Sequence, residues 1–463
     1  MTLAIVIMAA GKGTRMKSRH PKVLHRLAGA PLLGHVMQAA RALNVPQTIV
    51  ITGHGAEDVE SYLREVDPQV HCVRQMPQHG TGHAVQQAVP ALPDEGVTLI
   101  LNGDVPLIRS ATAAALIQAC QGRQLALLTL ELDDATGYGR ILRGADGQIQ
   151  GIVEHKDATA EQHRIREVYT GVMAAPTRWL KQAVMGLDTH NAQGEYYLTD
   201  VVAQAVAAGL PVTSVTAADE TEVLGVNRPA QLADLERRYQ AQQAAALMEA
   251  GVRLRDPARL DVRGSLVCAQ DVEIDVNCIF EGHVQLGEGV CIGAHCVIRD
   301  AVIEAGAVIH PYTHIDGHGQ PVRVGKGSLV GPYARLRPGA DLGAEVHIGN
   351  FVEVKNSRLD TGAKANHLAY LGDSTVGKRV NVGAGTITAN YDGANKHRTV
   401  IEDDAHVGSN CVLVAPVTVG AGATIGAGST IGKDAPGGQL TVARAKQLSL
   451  PGWTRPAKSK PKP

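Results

Sequence analysis

From Val324 to Val354 an aliphatic residue returns at every sixth position: Val324, Val330, Leu336, Leu342, Ile348 and Val354. The same beat runs through Leu286, Ile292 and Ile298, then Ile303, Ile309 and Ile315, and resumes at Val407, Leu413, Val419, Ile425 and Ile431. A Gly or another small residue usually comes next. An α-helix repeats at about 3.6 residues and a half-buried strand at about 2, so neither gives a strict six. A hexapeptide β-helix does. Each six-residue face turns one aliphatic side chain inward, and the small residue after it lets the chain turn onto the next face. Parallel pairing stacks successive coils about 4.8 Å apart, so one coil leaves its core open while a stack closes it. A disordered Gly-rich tract would show no period, and a collagen-like one a period of about three. The pattern does not set the hand of the coil, since ordinary parallel crossovers are right-handed.

The first half carries different patterns. Leu3–Met8 is an apolar run, Pro31–Leu43 an amphipathic helix, Thr48–Thr52 a second strand, the stretch from Ala56 helix-like, and Val97–Leu101 another strand. This alternation predicts a doubly wound parallel α/β sheet, whose ligands gather at the carboxyl ends of the strands. Pro229–Ala250 lacks internal Gly and Pro and is rich in helix formers, so it reads as a connecting helix closed by Gly251. The organisation expected is a sheet domain over residues 1–227, a linker helix over 228–250 and the solenoid over 251–463. The solenoid begins weakly near Val262 and is regular from about Ile274. The beat breaks between Ser357 and His367 and again between Thr386 and Val400. In stacked scaffolds such breaks map to one face, often the functional one.

Composition narrows the classes. Of 463 residues 44% are hydrophobic but only 3% aromatic, which suits narrow interiors of Val, Ile and Ala. The formal net charge of −1 gives no basic footprint for nucleic acid. No apolar run reaches about 18 residues, so no membrane span is predicted. Thr2–Ala10 has no Lys or Arg before it and opens directly into GKGTRM, which favours a buried first strand over a signal peptide. Seven cysteines, odd in number and without a C-x-x-C pair, read as free thiols in a reducing cytoplasm.

Candidate chemistry sits where the first strands end. Leu3–Met8 runs into Ala9-Ala10-Gly11-Lys12-Gly13-Thr14-Arg15-Met16, a Gly-rich turn that lets backbone N–H groups approach phosphate oxygens while Arg15 supplies charge. Met16 stands where a Rossmann fingerprint has its third glycine, and no G-K-[ST] follows as in a P-loop. A phosphate cradle and a simple tight turn both remain open. Lys22 follows in Pro21-Lys22-Val23-Leu24. Gln75 lies just before the second Gly-rich turn, Gly80-Thr81-Gly82-His83, and Val97–Leu101 runs into Asn102-Gly103-Asp104-Val105-Pro106-Leu107. Asp104 is either a Mg²⁺ ligand beside a cradle or a solvated carboxylate in an Asn-Gly turn. In the second half the broken rhythm holds Asn366-His367-Leu368-Ala369-Tyr370-Leu371-Gly372-Asp373 and Asn390-Tyr391-Asp392-Gly393-Ala394. Among 19 histidines most are structural or solvated, and His367 stands out by its place beside a break.

AAGKGTRM, PKVL, Q-x₄-GTGHA, GDVPL, TGYGRI, GIVEHKDA, NAQGEYYLTD and GVN occur in this order. As a set they resemble the sugar-nucleotide pyrophosphorylases, and within them the bacterial bifunctional N-acetylglucosamine-1-phosphate uridyltransferase/glucosamine-1-phosphate acetyltransferase family, over nearly the whole chain. The resemblance implies a left-handed coil, a homotrimer and a cytoplasmic enzyme of UDP-N-acetylglucosamine synthesis. It implies that Met8, Ala9, Ala10 and Gly11, with Gly80 and Thr81, line a UTP site beside Asn102 and Gly103, and that Gln75 reads uracil. Arg15 and Lys22 would hold phosphates, Asp104 and Asn227 coordinate Mg²⁺, and Gly139 and Glu154 contact the acetylamino sugar. Where the family usually has Asn-Thr-Gly this chain has Tyr169-Thr170-Gly171, so the backbone or the Tyr hydroxyl would have to make that sugar contact. For acetyl transfer the resemblance implies His367 as base, Arg337 and Lys355 as clamp on the sugar phosphate, and Tyr370 and Asn381 as further sugar contacts. Ala384, Asn390, Tyr391, Ser409, Ala427 and Arg444 would line acetyl-CoA. The residue types suit the chemistry. A sugar phosphate is already anionic and attacks UTP without a base, so charge neutralisation suffices. An ammonium is not nucleophilic, so amine acetylation needs a proton acceptor such as neutral imidazole. Two rivals are a pyrophosphorylase whose solenoid serves only assembly, and a non-enzymatic nucleotide-sugar sensor. His367 in NHLAYLGD argues against the first; Lys22, Asp104 and Asn227 argue against the second. The basic tail after Trp453 (Arg455, Lys458, Lys460, Lys462) either attracts anionic CoA or is a solvated end.

Overall fold

The computed structural model describes residues 2–458; Lys460 and Lys462 of the tail lie outside them. The chain divides into two compact units, Met1–Gln242 and Gln243–Pro463.

In the first unit the elements are β1 (Leu3–Met8), α1 (Leu32–Arg41), β2 (Gln47–Thr52), α2 (Ala56–Val66), β3 (His71–Arg74), α3 (Thr81–Ala88), β4 (Val97–Asn102), α4 (Ser110–Cys120), β5 (Leu125–Glu131), β6 (Gly139–Arg143), β7 (Ile149–Val153), β8 (Glu167–Pro176), α5 (Thr177–Met185), α6 (Asp200–Ala207) and β9 (Val212–Thr216). They build a nine-stranded sheet in the order β9-β5-β8-β4-β1-β2-β3, with β6 and β7 as a hairpin attached to β8. β1 pairs in parallel with both β2 and β4. Its continuous apolar sequence follows from burial on two faces: Ile5 and Ile7 enter one core cluster, Ala4 and Val6 the other. β8 runs antiparallel to β4 and β5, so the sheet is mixed. The hydrophobic pattern carries no information on strand direction, and this reversal was not predicted. The parallel centre puts the ends of β1, β2 and β4 side by side.

The long helix α7 spans Pro229–Glu249. Leu235 near its start packs with Met16, Leu27, Leu32 and Val226 in the first unit. Ala244, towards its end, belongs to the solenoid core.

The second unit is a stack of parallel rungs. Val324, Val330, Leu336, Leu342, Ile348 and Val354 are all buried in one continuous core, and each pairs with its counterpart one coil on: Val324 with Leu342, Val330 with Ile348, Leu336 with Val354. Stacking starts earlier than the rhythm suggested, at Arg253–Leu254 against Glu273–Ile274. Leu254 is only partly buried, which explains why its signal is weak. One corner of successive coils takes a left-handed backbone, at the non-glycine residues Asn277, His295, Tyr312, Tyr333, Phe351, Leu368 and Asn410 and at Gly385 and Gly428. The rings of His295, Tyr312, Tyr333 and Phe351 stack in an exposed column along that corner.

The two breaks in rhythm differ in kind. Coils that repeat at 18 residues around Ser328 and Val346 shorten to 17 between Asn350 and His367. Between Asn381 and His406 the repeat is 25, so there the chain inserts a loop. The first break is a loss of one residue and only the second is an insertion. No helix among the described residues is long and apolar enough to cross a membrane.

Candidate active sites

The ends of β1, β3 and β4 open into a cleft of about 910 Å³ in the first unit. Met8, Ala9, Ala10, Gly11, Arg15, Lys22, Gln75, Gly80, Thr81, Asn102, Asp104, Glu154 and Asn227 all line it. Gly103 and Gly139 stand just behind the lining. The Gly103 N–H donates to Met8 O at 2.9 Å, tying β4's end to β1; at Gly139 a Cβ would meet Ile152 Cγ2 at 2.8 Å. Gly13 shows why the first turn needs glycine: its φ is +59° and a Cβ would lie 2.7 Å from Lys22 Cβ. The turn is thereby free to press against Lys22.

Asp104 and Asn227 are brought together by the backbone. Val226 N–H donates to Asp104 O at 2.9 Å, and Asn227 N–H donates to Gln231 Oε1 at 2.9 Å. Lys22 Nζ donates to both side chains, to Asp104 Oδ2 and, at 3.1 Å, to Asn227 Oδ1. Arg15 also donates to Asn227 Oδ1, at 2.9 Å. Two oxygens therefore converge on one cation. That donor set, one carboxylate and one amide oxygen open to a phosphate cradle, fits Mg²⁺, which takes few protein ligands and completes its shell with phosphate and water.

At the far end of the cleft, Gln75 is buried and its Nε2 donates to Gly80 O at 2.9 Å. The NAQGEYYLTD stretch braces this turn: Tyr196 N–H donates to His79 O, Gly82 N–H to Tyr196 O and Leu198 N–H to Thr81 Oγ1. Glu154 accepts from Thr199 Oγ1 at 3.0 Å. Burial pushes its carboxyl up; the Thr199 hydrogen bond opposes this, and the charges of Asp200 and Asp157 add to it. Tyr169 does not line the cleft. Its ring packs in the core and its hydroxyl is buried without a hydrogen-bond partner. Its neighbours instead steady Asn102, whose Nδ2 donates to Gly171 O at 3.2 Å.

In the solenoid, His367 and Asn350 are opposed on adjacent rungs. Their side chains meet with His367 Nδ1 2.7 Å from Asn350 Oδ1. An amide oxygen only accepts, so Nδ1 carries a proton, and in the neutral imidazole the lone pair is on Nε2. Arg337 donates to Glu353 at 2.7 Å. Lys355 has its ammonium pushed down, first by contact with Lys396, then by burial and by the charges of Lys396 and Arg337, with Asp373 opposing. Three cations, Arg337, Lys355 and Lys396, against two carboxylates, Glu353 and Asp373, leave one positive charge to hold an anion. Asp373 accepts from both Asn356 and Asn390. Tyr370 faces Glu353 across the rungs, and Asn381 Nδ2 lies 3.3 Å from His406 Nδ1. From the pairings Asn381–His406 and His406–Thr424, Ala384, Ser409 and Ala427 fall in one column three residues on. Arg444 closes that column by donating to Ala427 O at 2.8 Å.

Lys396 was not anticipated from the sequence, because an isolated Lys in an insertion has no pattern. The insertion is held by Asp392, which accepts from Ala394 N–H, Asn395 N–H and His397 Nε2. These bonds, the Asn395 N–H first, then His397 and the Ala394 N–H, keep its carboxyl well below the usual range. Tyr391 is exposed and donates to Gly393 O. In the first cleft Lys12, His155, Lys156 and Gln193 also line the wall, and Lys156 reaches Gln193 Oε1 at 2.6 Å.

The MobA-like NTP transferase domain family matches residues 5–250, and the bacterial transferase hexapeptide (six repeats) family matches residues 398–433. The bifunctional protein GlmU of Methylibium petroleiphilum is 70% identical over 463 residues, covering 99% of this chain and 100% of that protein. The bifunctional protein GlmU of Paracidovorax citrulli is 66% identical over 468 residues, with 98% of each covered. That of Albidiferax ferrireducens is 64% identical over 464 residues, covering 98% of this chain and 100% of that protein. With a nucleotide-type cleft in one unit, a His367–Asn350 pair and a group of cations in the other, and such relatives over nearly its full length, the chain belongs to the family of bifunctional GlmU proteins.

Proposed function

We propose that the chain makes UDP-N-acetylglucosamine in two steps: the solenoid acetylates glucosamine-1-phosphate with acetyl-CoA, and the sheet unit transfers UMP from UTP to N-acetylglucosamine-1-phosphate, releasing pyrophosphate. The observation that carries this reading is that each unit has its own set of groups: Lys22–Asp104–Asn227 in one, and in the other the Asn350–His367 pair together with the cations Arg337, Lys355 and Lys396.

In the solenoid, Asn350 holds the neutral His367 in the tautomer with Nε2 free, so Nε2 takes a proton from the substrate nitrogen; the amine lone pair forms the C–N bond, the thioester C–S bond breaks, and CoA leaves with a proton on its sulfur. Arg337, Lys355 and Lys396 bind the sugar phosphate, with Tyr370 and Asn381 as further sugar contacts. Acetyl-CoA lies along the Ala384–Ser409–Ala427 column, with Asn390, Tyr391 and Arg444 beside it. In the sheet unit the Met8–Gly11 backbone and Arg15 cradle the triphosphate, Gln75, Gly80 and Thr81 hold the base, and Gly139 and Glu154 face the acetylamino sugar. Lys22 neutralises charge as the sugar phosphate oxygen attacks the α-phosphorus. Asp104 and Asn227 would hold Mg²⁺, which when bound draws charge from the phosphate oxygens. Domain limits of 1–227, 228–250 and 251–463 are part of the proposal. So is a homotrimer, supported by the exposed column of Tyr312, Tyr333, Phe351 and Leu368, which a second copy would cover. A cytoplasmic location follows from the use of UTP and acetyl-CoA. The test is a pair of variants: Asp104→Ala is expected to lose pyrophosphate release and keep CoA release, and His367→Ala the reverse. Loss of both activities in either folded variant would refute two independent sites.

A further inference from the structure

Gln75 has two amide hydrogens, and both are used inside the protein. One is donated to Gly80 O at 2.9 Å; the other points to His83 Nδ1 at 3.2 Å. Gly80 O can only accept, which fixes the nitrogen of the amide on that side. The His83 nitrogen beside it must then be an acceptor as well, so the imidazole is neutral with its proton on Nε2. Burial, and after it the neighbouring His79, lower the His83 pKa, in keeping with that state. The ring is confined between His79 and Tyr196, with centroids 5.3 Å and 6.1 Å away. His83 itself does not line the cleft, whereas Gln75 does.

We propose that His83 is a positioning residue for base selection: by accepting the second Gln75 amide hydrogen it leaves only Oε1 to meet the nucleobase, so the cleft takes a base with an N3–H, as uracil has, and rejects one whose N3 is a lone pair, as in cytosine. This rests on the proposed role of Gln75 at the base. Turning the amide over to serve cytosine would place Oε1 against Gly80 O, which only accepts, and would require the His83 proton to move from Nε2 to Nδ1. Without the imidazole acceptor only the Gly80 bond opposes the turn. A site whose polar groups are already committed discriminates by the bond it leaves unmade.

The experiment is to measure kcat/KM for UTP and for CTP, with Mg²⁺ and N-acetylglucosamine-1-phosphate, on the full-length protein. The variants are His83→Leu, His83→Asn and Gln75→Ala. Leu fills the ring's space without an acceptor, whereas Asn offers Oδ1 near the place of Nδ1. The preference for UTP over CTP is expected to fall about tenfold in His83→Leu, the worth of one hydrogen bond, and to return largely in His83→Asn. Acetyl transfer serves as the folding control and is expected to be unchanged. If His83→Leu slows UTP and CTP alike, or leaves the ratio at the wild-type value while Gln75→Ala collapses it, His83 does not position the amide and the proposal falls. If Gln75→Ala also leaves the ratio unchanged, it is the role of Gln75 at the base that fails, and the proposal with it.

Discussion

In the proposed acetyl transfer, replacing Asn350 separates the base, His367, from the group that orients it. Asn350 accepts from His367 Nδ1 at 2.7 Å and so holds the neutral imidazole in the tautomer whose lone pair is on Nε2. Asn350→Ala removes one hydrogen bond, worth about 0.5–1.5 kcal/mol net. If that energy serves only to hold the productive tautomer, kcat for acetyl transfer falls about 2- to 13-fold. His367→Ala removes the proton acceptor itself and costs roughly 10²–10⁴-fold. Asn350→Asp reverses the sign of the pH effect: a carboxylate on Nδ1 favours the imidazolium and raises its pKa. Nε2 must be unprotonated to act, so the acidic limb of the pH–rate profile moves to higher pH. The assay follows free CoA over pH 5.5–9, a range chosen to bracket an ordinary imidazole near ~6.5, with pyrophosphate release from ready-made N-acetylglucosamine-1-phosphate as an internal control. An Asn350→Ala enzyme as damaged as His367→Ala would mean that Asn350 does more than orient. Near wild-type acetylation in His367→Ala would remove His367 as the base.

Lys396→Ala is expected to raise KM for glucosamine-1-phosphate about tenfold by removing one cation from the phosphate clamp, with little change in KM for acetyl-CoA, as measured by initial rates. Tyr169→Phe removes a hydroxyl buried without a partner, so thermal unfolding is expected to show a gain of about 1 kcal/mol in the sheet unit; a loss of stability would show that the hydroxyl has a partner. Asp392→Asn is expected to weaken the hold on the 390–398 insertion. The native carboxyl lies below its ordinary pKa, so its contribution is present above the unfolded value and disappears as the pH falls through the folded one. Limited proteolysis is expected to cut the insertion faster in the variant at neutral pH, and equally in both proteins in strong acid.

The solenoid was legible because a six-residue beat leaves one aliphatic side chain per face, and those residues are the buried ones. Its first strand, Arg253–Leu254, lies before the expected weak start near Val262, because partly buried Leu254 gives no sharp contrast. The break near Ser357 drew attention to His367, but the structure shows a coil shortened by one residue there, not an inserted loop. Asn227 lies 205 residues from Lys22, and no local pattern joins them; the backbone bond from Val226 to Asp104 sets Asn227 beside Asp104, where the Lys22 ammonium reaches both. Only the resemblance of motifs brought that pair onto one list. The hydrogen-bond economy of Gln75 was invisible for a similar reason, since it depends on which carbonyl and which ring nitrogen the fold sets around one amide.

The most direct measurement incubates the purified full-length protein with glucosamine-1-phosphate, acetyl-CoA, UTP and Mg²⁺ and follows free CoA, pyrophosphate and UDP-N-acetylglucosamine together. The account predicts CoA first, pyrophosphate after a lag, and one of each for every UDP-N-acetylglucosamine formed. Adding N-acetylglucosamine-1-phosphate should abolish the lag. Pyrophosphate without CoA from the unacetylated sugar phosphate, or CoA release that never leads to a nucleotide sugar, would contradict it.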